Sequence, residues 1–203
     1  MWVRGAAIRP VPRHAVLEAA MLTQIERELG DDSDAASESL DAAFARFEST
    51  QPQLAEAMSG ILAKPLDETA LALGYFLTIA TWLAFERTFG VPRLREVSDD
   101  ALRATREAIE LEEELRAIQG GPGFDLDEVV SIEQPHLLAF VHDHVDAALT
   151  PRSGDLAHRG RTHEVDVEDV RAVYGAVVLL ALCLSHAVLP LDGAPRGTRE
   201  LMA

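Results

Sequence analysis

No formal charge interrupts the stretch Ala70 to Phe85, ALALGYFLTIATWLAF, and nothing else in the chain constrains the fold as strongly. Sixteen such residues are too many for an ordinary buried strand. As a helix the segment is apolar on nearly every side, so neighbours have to cover it most of the way round. A second run, AVYGAVVLLALCLS from Ala172 to Ser185, repeats this character. The expected fold is all-α: about six helices, two of them central and apolar, wrapped in a bundle by kinked and amphipathic neighbours.

A length of 203 residues points to one helical domain with a substantial core. Eighteen Lys and Arg against 34 Asp and Glu give a formal charge of −16. That field repels nucleic acid and anionic lipid, favours solubility and is compatible with a basic protein partner. The lone cysteine, Cys183, excludes an intramolecular disulfide and a Cys-rich zinc site. MWVRGAAIRPVPRH at the start contains no continuous apolar core of a secretory signal, so a cytoplasmic location is expected. Ala172 to Leu191 is long enough for a membrane span, but Gly175, Ser185, His186 and Pro190 dilute it. A buried core helix is expected there, and no membrane.

Along the chain, residues 1–12 read as an extended arm because Pro10 and Pro12 block helix. A first helix is predicted over 13–29, with a stripe of Leu17, Met21, Leu22, Ile25 and Leu29 and a cap at Gly30. Ser33 or Asp34 is the candidate N-cap for the next helical stripe, which continues to Lys64 with Pro52 inside it. The first central helix follows Pro65, with Asp67 and Glu68 at the positive end of its dipole, and stops by Gly90. Residues 98–118 form an amphipathic linking helix, on which Ala101, Ala104, Ala108, Leu111, Leu115 and Ile118 alternate three and four apart. The seam suits either a dimer contact or a solvated amphipathic helix. After Gly120 to Gly123, a capping box of Asp125 and Glu128 opens a helix to about Leu149 with Pro135 inside it. Glu168 and Asp169 open the second central helix, which ends by Pro190, and residues 192–203 read as a loose tail.

An internal repeat emerges when Gln51-Pro52 is placed on Gln134-Pro135. FESTQPQL and VSIEQPHL share Gln-Pro, one residue, then Leu, and downstream Gly74 falls on Gly175. This suggests a duplicated helical hairpin, with copies at 35–90 and 125–190 related by approximate two-fold symmetry. Both glutamines lie on apolar stripes, where a buried amide has to find partners. Each Gln-Pro is expected to kink its helix, the amide serving backbone groups that proline leaves unpaired near the pseudo-axis. Thr50-x-x-Gln53 and Ser131-x-x-Gln134 also read as capping boxes, which would make each proline the start of a new helix. Together with Tyr75 and Tyr174, Gln51 and Gln134 are the candidate lining of a ligand pocket.

Catalytic patterns are sparse. Six of seven histidines lie between His136 and His186. His142 and Asp146, one helical turn apart, could supply half of a divalent metal site, completed by His158 or His163. Glu133-x-x-His136 resembles half of a di-iron carboxylate pattern, but no second Glu-x-x-His accompanies it. No G-x-S-x-G occurs, and burial should keep Cys183 inert. Arg152, Arg159 and Arg161 form a basic patch for an anion or an acidic partner surface. The expectation is a non-enzymatic helical binding or scaffolding protein without a cofactor, pairing with itself as a homodimer or with another, basic protein. Its rivals are a metal protein built on the histidine-rich half and a small-ligand sensor built on the paired glutamines.

Overall fold

The computed structural model describes residues 7–30, 34–118, 133–150 and 166–191, with the backbone alone at 34–37, 113 and 115–118. Among these residues there are seven α-helices and no strand: α1 (Ala19–Leu29), α2 (Asp34–Thr50), α3 (Pro52–Leu62), α4 (Glu68–Phe89), α5 (Asp99–Ile118), α6 (Pro135–Leu149) and α7 (Val167–Ala187). A short 3-10 turn, Arg13–Ala15, precedes α1.

The two apolar runs become the central helices. Asp67 starts α4 by accepting the Ala70 N–H at 2.9 Å, with Glu68 in the first turn, and Gly90 ends it at φ 73, a left-handed position that glycine takes without strain. Asp166 starts α7 by accepting the Glu168 N–H. The two N-termini are tied together, because Asp169 accepts the Asp67 N–H at 2.8 Å and Asp67 accepts the Asp166 N–H at 3.1 Å. Beyond the C-termini, Leu94 and Val188 form an antiparallel bridge: Arg95 N–H to Ala187 O at 3.1 Å and Leu189 N–H to Arg93 O at 2.7 Å. The central pair therefore runs side by side in one direction. Both helices are long and apolar enough to cross a membrane, and two thirds of each apolar window is buried by the protein itself.

The outer helices cover this pair in a matched way. α1 packs on α4 as α5 packs on α7, and α3 crosses to α7 as α6 crosses to α4. In this arrangement α5, read from sequence as a linking helix, is the counterpart of α1. One apolar cluster runs through all seven helices, with Trp82, Phe47 and Phe85 its largest fully buried side chains. Gly74 lets three helices meet, since a Cβ there would lie 2.5 Å from Leu62 Cδ2 of α3 and 3.1 Å from Val173 Cγ2 of α7. At Gly175, which the sequence alignment sets against Gly74, a Cβ would meet nothing within 4 Å.

Two local expectations are corrected. The helix predicted over 13–29 begins at Ala19, because residues 16–18 are extended and their backbone is claimed by a distant side chain. Pro52 and Pro135 do not kink helices but begin them, at the first helical position, where a missing N–H costs nothing. No capping box forms at Thr50, whose hydroxyl donates back to Arg46 O. The boundaries expected around 119–132 and 192–203 lie outside the described residues.

Candidate functional site

Gln51 and Gln134 have nearly the same backbone, φ −137 ψ 57 and φ −137 ψ 65. Each carbonyl receives the first helical hydrogen bond of the helix that follows, from Ala55 N–H and Leu138 N–H respectively. Their side chains are 1 % and 0 % exposed and do the same thing in opposite halves. In extended chain, a C=O and the N–H two residues on can share one edge, and a primary amide matches that pair. Gln51 donates to Arg95 O at 2.9 Å and accepts the Val97 N–H at 2.9 Å. Gln134 donates to Ala15 O at 2.8 Å and accepts the Leu17 N–H at 3.0 Å.

The segments they hold, 95–97 and 15–17, lead into α5 and α1. The first-half glutamine thus clasps the lead-in of the second half, and the second-half glutamine clasps the lead-in of the first. The amides do satisfy buried backbone, as the apolar stripes suggested, but it is backbone from another element and not the freed carbonyl one turn earlier. The Gln134 clasp has an extra member: its amide also donates to Ser185 Oγ at 2.9 Å, and Ser185 donates on to Ala181 O.

The same side of the molecule holds more of the leading segment. Glu112 of α5, only 7 % exposed, accepts the Ala7 N–H at 2.8 Å, and Glu133 accepts the Val11 N–H at 2.7 Å. His14 Nε2 lies 3.1 Å from Val188 O. Ile8, Val11, Ala15 and Leu17 are buried along this line. Sequence pattern assigns Glu133 to a metal motif and gives Glu112 no role. The two lead-ins, each ending two residues before a helix, are the signal that could find them.

α5 turns Leu102, Thr105, Ile109 and Glu112 inward, with Cys183 of α7 against Thr105. Desolvation pushes the Cys183 thiol up to about 11, so it is protonated and inert at neutral pH. Ala101, Ala104 and Leu111 consequently face outward, Leu111 at 49 % exposure, and Ala108 is half-buried. The side chains of Leu115 and Ile118 lie outside the described residues. Glu107, Glu110 and Glu114 stand exposed along one flank of this face with Arg106 beside them, while Arg103 is engaged by Asp99, Asp100 and Glu107.

The remaining candidates are dispersed. Tyr75 packs on Phe44 at 5.3 Å, and desolvation, followed by the Asp41 and Glu48 charges, pushes its hydroxyl pKa up. Tyr174 stacks on His142 at 5.7 Å. Asp146 is exposed on α6, and no group of three potential metal ligands occurs among the described residues. His158, His163, Arg152, Arg159 and Arg161 lie outside them. An open cleft of about 670 Å³ is lined by Glu26, Arg27, Gly30, Phe76 and His144, and another of about 410 Å³ by residues including His14, Met21 and Arg93. Neither glutamine lines either cleft. No protein-family model, curated protein or solved structure matches the chain.

Proposed function

We propose that the chain is a non-enzymatic helical binding protein whose docking surface is the outer face of α5, acting in the cytoplasm as an adaptor or scaffold. The observation that carries this reading is the orientation of α5. Its larger inward side chains hold it to the body, which leaves Ala101, Ala104 and Leu111 facing out beside an acidic flank of Glu107, Glu110 and Glu114. A helix presenting an apolar stripe flanked by Lys and Arg is the matching partner, packed helix against helix as in a coiled coil. Two copies meeting through this face would oppose like charges, so a basic partner fits better than a second copy here. Matched clasps and matched helix packing support a duplicated unit as the scaffold behind the surface.

A photo-crosslinking residue at Leu111 tests the reading in cells, with the same residue at Val91 as an exposed control. The expected product is a complex through a basic amphipathic helix, lost in Ala104→Glu and weakened by salt. No product from position 111, or the same products from both positions, removes α5 as a docking surface.

A further inference from the structure

The cleft of about 670 Å³ opens where the carboxyl-terminal end of α1 meets α4 and α6, and its size suits a small molecule. His144 on its wall has a defined tautomer. Its Nδ1 stands 2.8 Å from Phe140 O, and a carbonyl only accepts, so the neutral ring carries its proton on Nδ1 and a lone pair on Nε2. Phe140 and Phe76 pack against the ring at 4.4 and 5.0 Å and fix its direction. The group that Nε2 meets is Glu26 Oε1, 3.7 Å away. Two acceptors therefore face each other across a gap that a donor can close. The rest of the cleft favours a donor with positive charge. Gly30, in the wall, marks the negative end of the α1 dipole, and the half-buried Phe76 ring attracts cations to its face. Arg27, the cation of the lining, is turned back along α1 by its Nε–H bond to Thr23 O. A formal charge of −16 draws cations to the protein as a whole.

We propose that this cleft binds a small primary ammonium with an apolar body, of the arylalkylamine class. Its N–H groups bridge Glu26 Oε1 and His144 Nε2, and its apolar part lies on Phe76. Two N–H bonds of about 2.8 Å from one nitrogen reach both atoms across the gap. A water can close the same gap, but it brings neither a charge for Glu26 nor an apolar surface for Phe76. A metal ion would find two protein ligands here, since no third joins them among the described residues. None of the lining residues belongs to α5, so the site is independent of the docking face.

The test titrates the full chain with phenethylamine at about pH 7.5, where an alkylamine is charged as lysine is. Calorimetry reads the affinity, and nitrogen NMR follows the histidine rings. Saturable one-to-one binding is expected, with the His144 Nε2 resonance moving as its lone pair accepts a proton. Glu26→Gln should weaken binding about tenfold, and so should His144→Phe, which keeps an aromatic ring beside Phe76 and Phe140. Phenethyl alcohol lacks the charge and trimethyl-phenethyl-ammonium lacks the N–H donors; each should bind about tenfold more weakly than the primary amine. Equal affinity for the primary and quaternary amines overturns the bridge. Unchanged binding by Glu26→Gln does the same, at an exposed position where the substitution leaves the core intact. Resonance shifts of equal size at Asp67, Asp166 and Asp169 would show attraction to net charge alone and overturn the site. So would the absence of heat and of shifts up to about 10 mM amine.

Discussion

The clasp at Gln51 and the clasp at Gln134 use one chemistry under two different conditions. Both amides pair with the edge of an extended segment from the opposite half, and both sit just before a proline that begins a helix. At Gln51 the bond to Arg95 O is only partly buried, and there are two bonds. At Gln134 all three bonds are buried, because Ser185 extends the network into α7. The difference teaches that a repeated local motif does not carry a repeated energetic weight. Burial and the third partner set that weight, and both come from the surrounding helices.

The largest effect should come from replacing each amide with an isosteric hydrocarbon. Gln134→Leu leaves Leu17 N–H and Ala15 O unpaired in a dry site and should cost about 3 kcal/mol, against about 2 kcal/mol for Gln51→Leu, whose Arg95 carbonyl can reach water. Urea unfolding midpoints measure both, and equal or reversed losses break the comparison. Ser185→Ala isolates the third partner and should cost about 1 kcal/mol. A loss near zero would show that the two clasps are energetically alike.

The glycines sharpen the contrast between halves with opposite signs. Gly74→Ala presses on Leu62 and Val173 and should destabilise by about 1 kcal/mol. Gly175→Ala meets nothing and should stabilise by roughly 0.5–1 kcal/mol, since alanine is the better helix former. Thermal melts of the two variants should move in opposite directions.

The smallest effect is a pH slope. Desolvation, followed by the nearby Arg9 charge, holds the pKa of His186 below its ordinary 6.5. As pH falls through 6.5, the unfolded chain takes this proton before the folded one does, so stability declines until the lower folded value is passed. Stability of His186→Asn, followed from about pH 7.5 downward, should lack that component of the slope; an unchanged slope assigns it to other groups.

The central architecture was legible because long apolar runs admit few alternatives. Asp67 and Gly90 marked the ends of α4 by local chemistry that needs no partner element. The paired Gln-Pro sites were legible as positions, and the burial of both amides followed from their apolar stripes. Their helix geometry was not, since a proline after a helical stripe suits a kink and a fresh start equally well. Residues 13–18 read as helix from the sequence because Leu17 continues the spacing of Leu22, Ile25 and Leu29. The clasp from Gln134 overrides that spacing with two hydrogen bonds from 117 and 119 residues away.

α5 marks the boundary between the two kinds of information. By itself the sequence determined that this segment is helical, and that it carries apolar residues at helical spacing beside a strongly acidic face, because periodicity and charge are properties of neighbours along the chain. It also determined the two apolar centres and the glutamines that had to be satisfied. Tertiary structure decided which side of α5 turns inward, because α7 offers Cys183 to Thr105 and the arm offers its Ala7 N–H to Glu112. It likewise decided that each half is locked by the other. Those choices depend on groups about a hundred residues apart along the chain, which the packed helices bring to 3.0 Å or less.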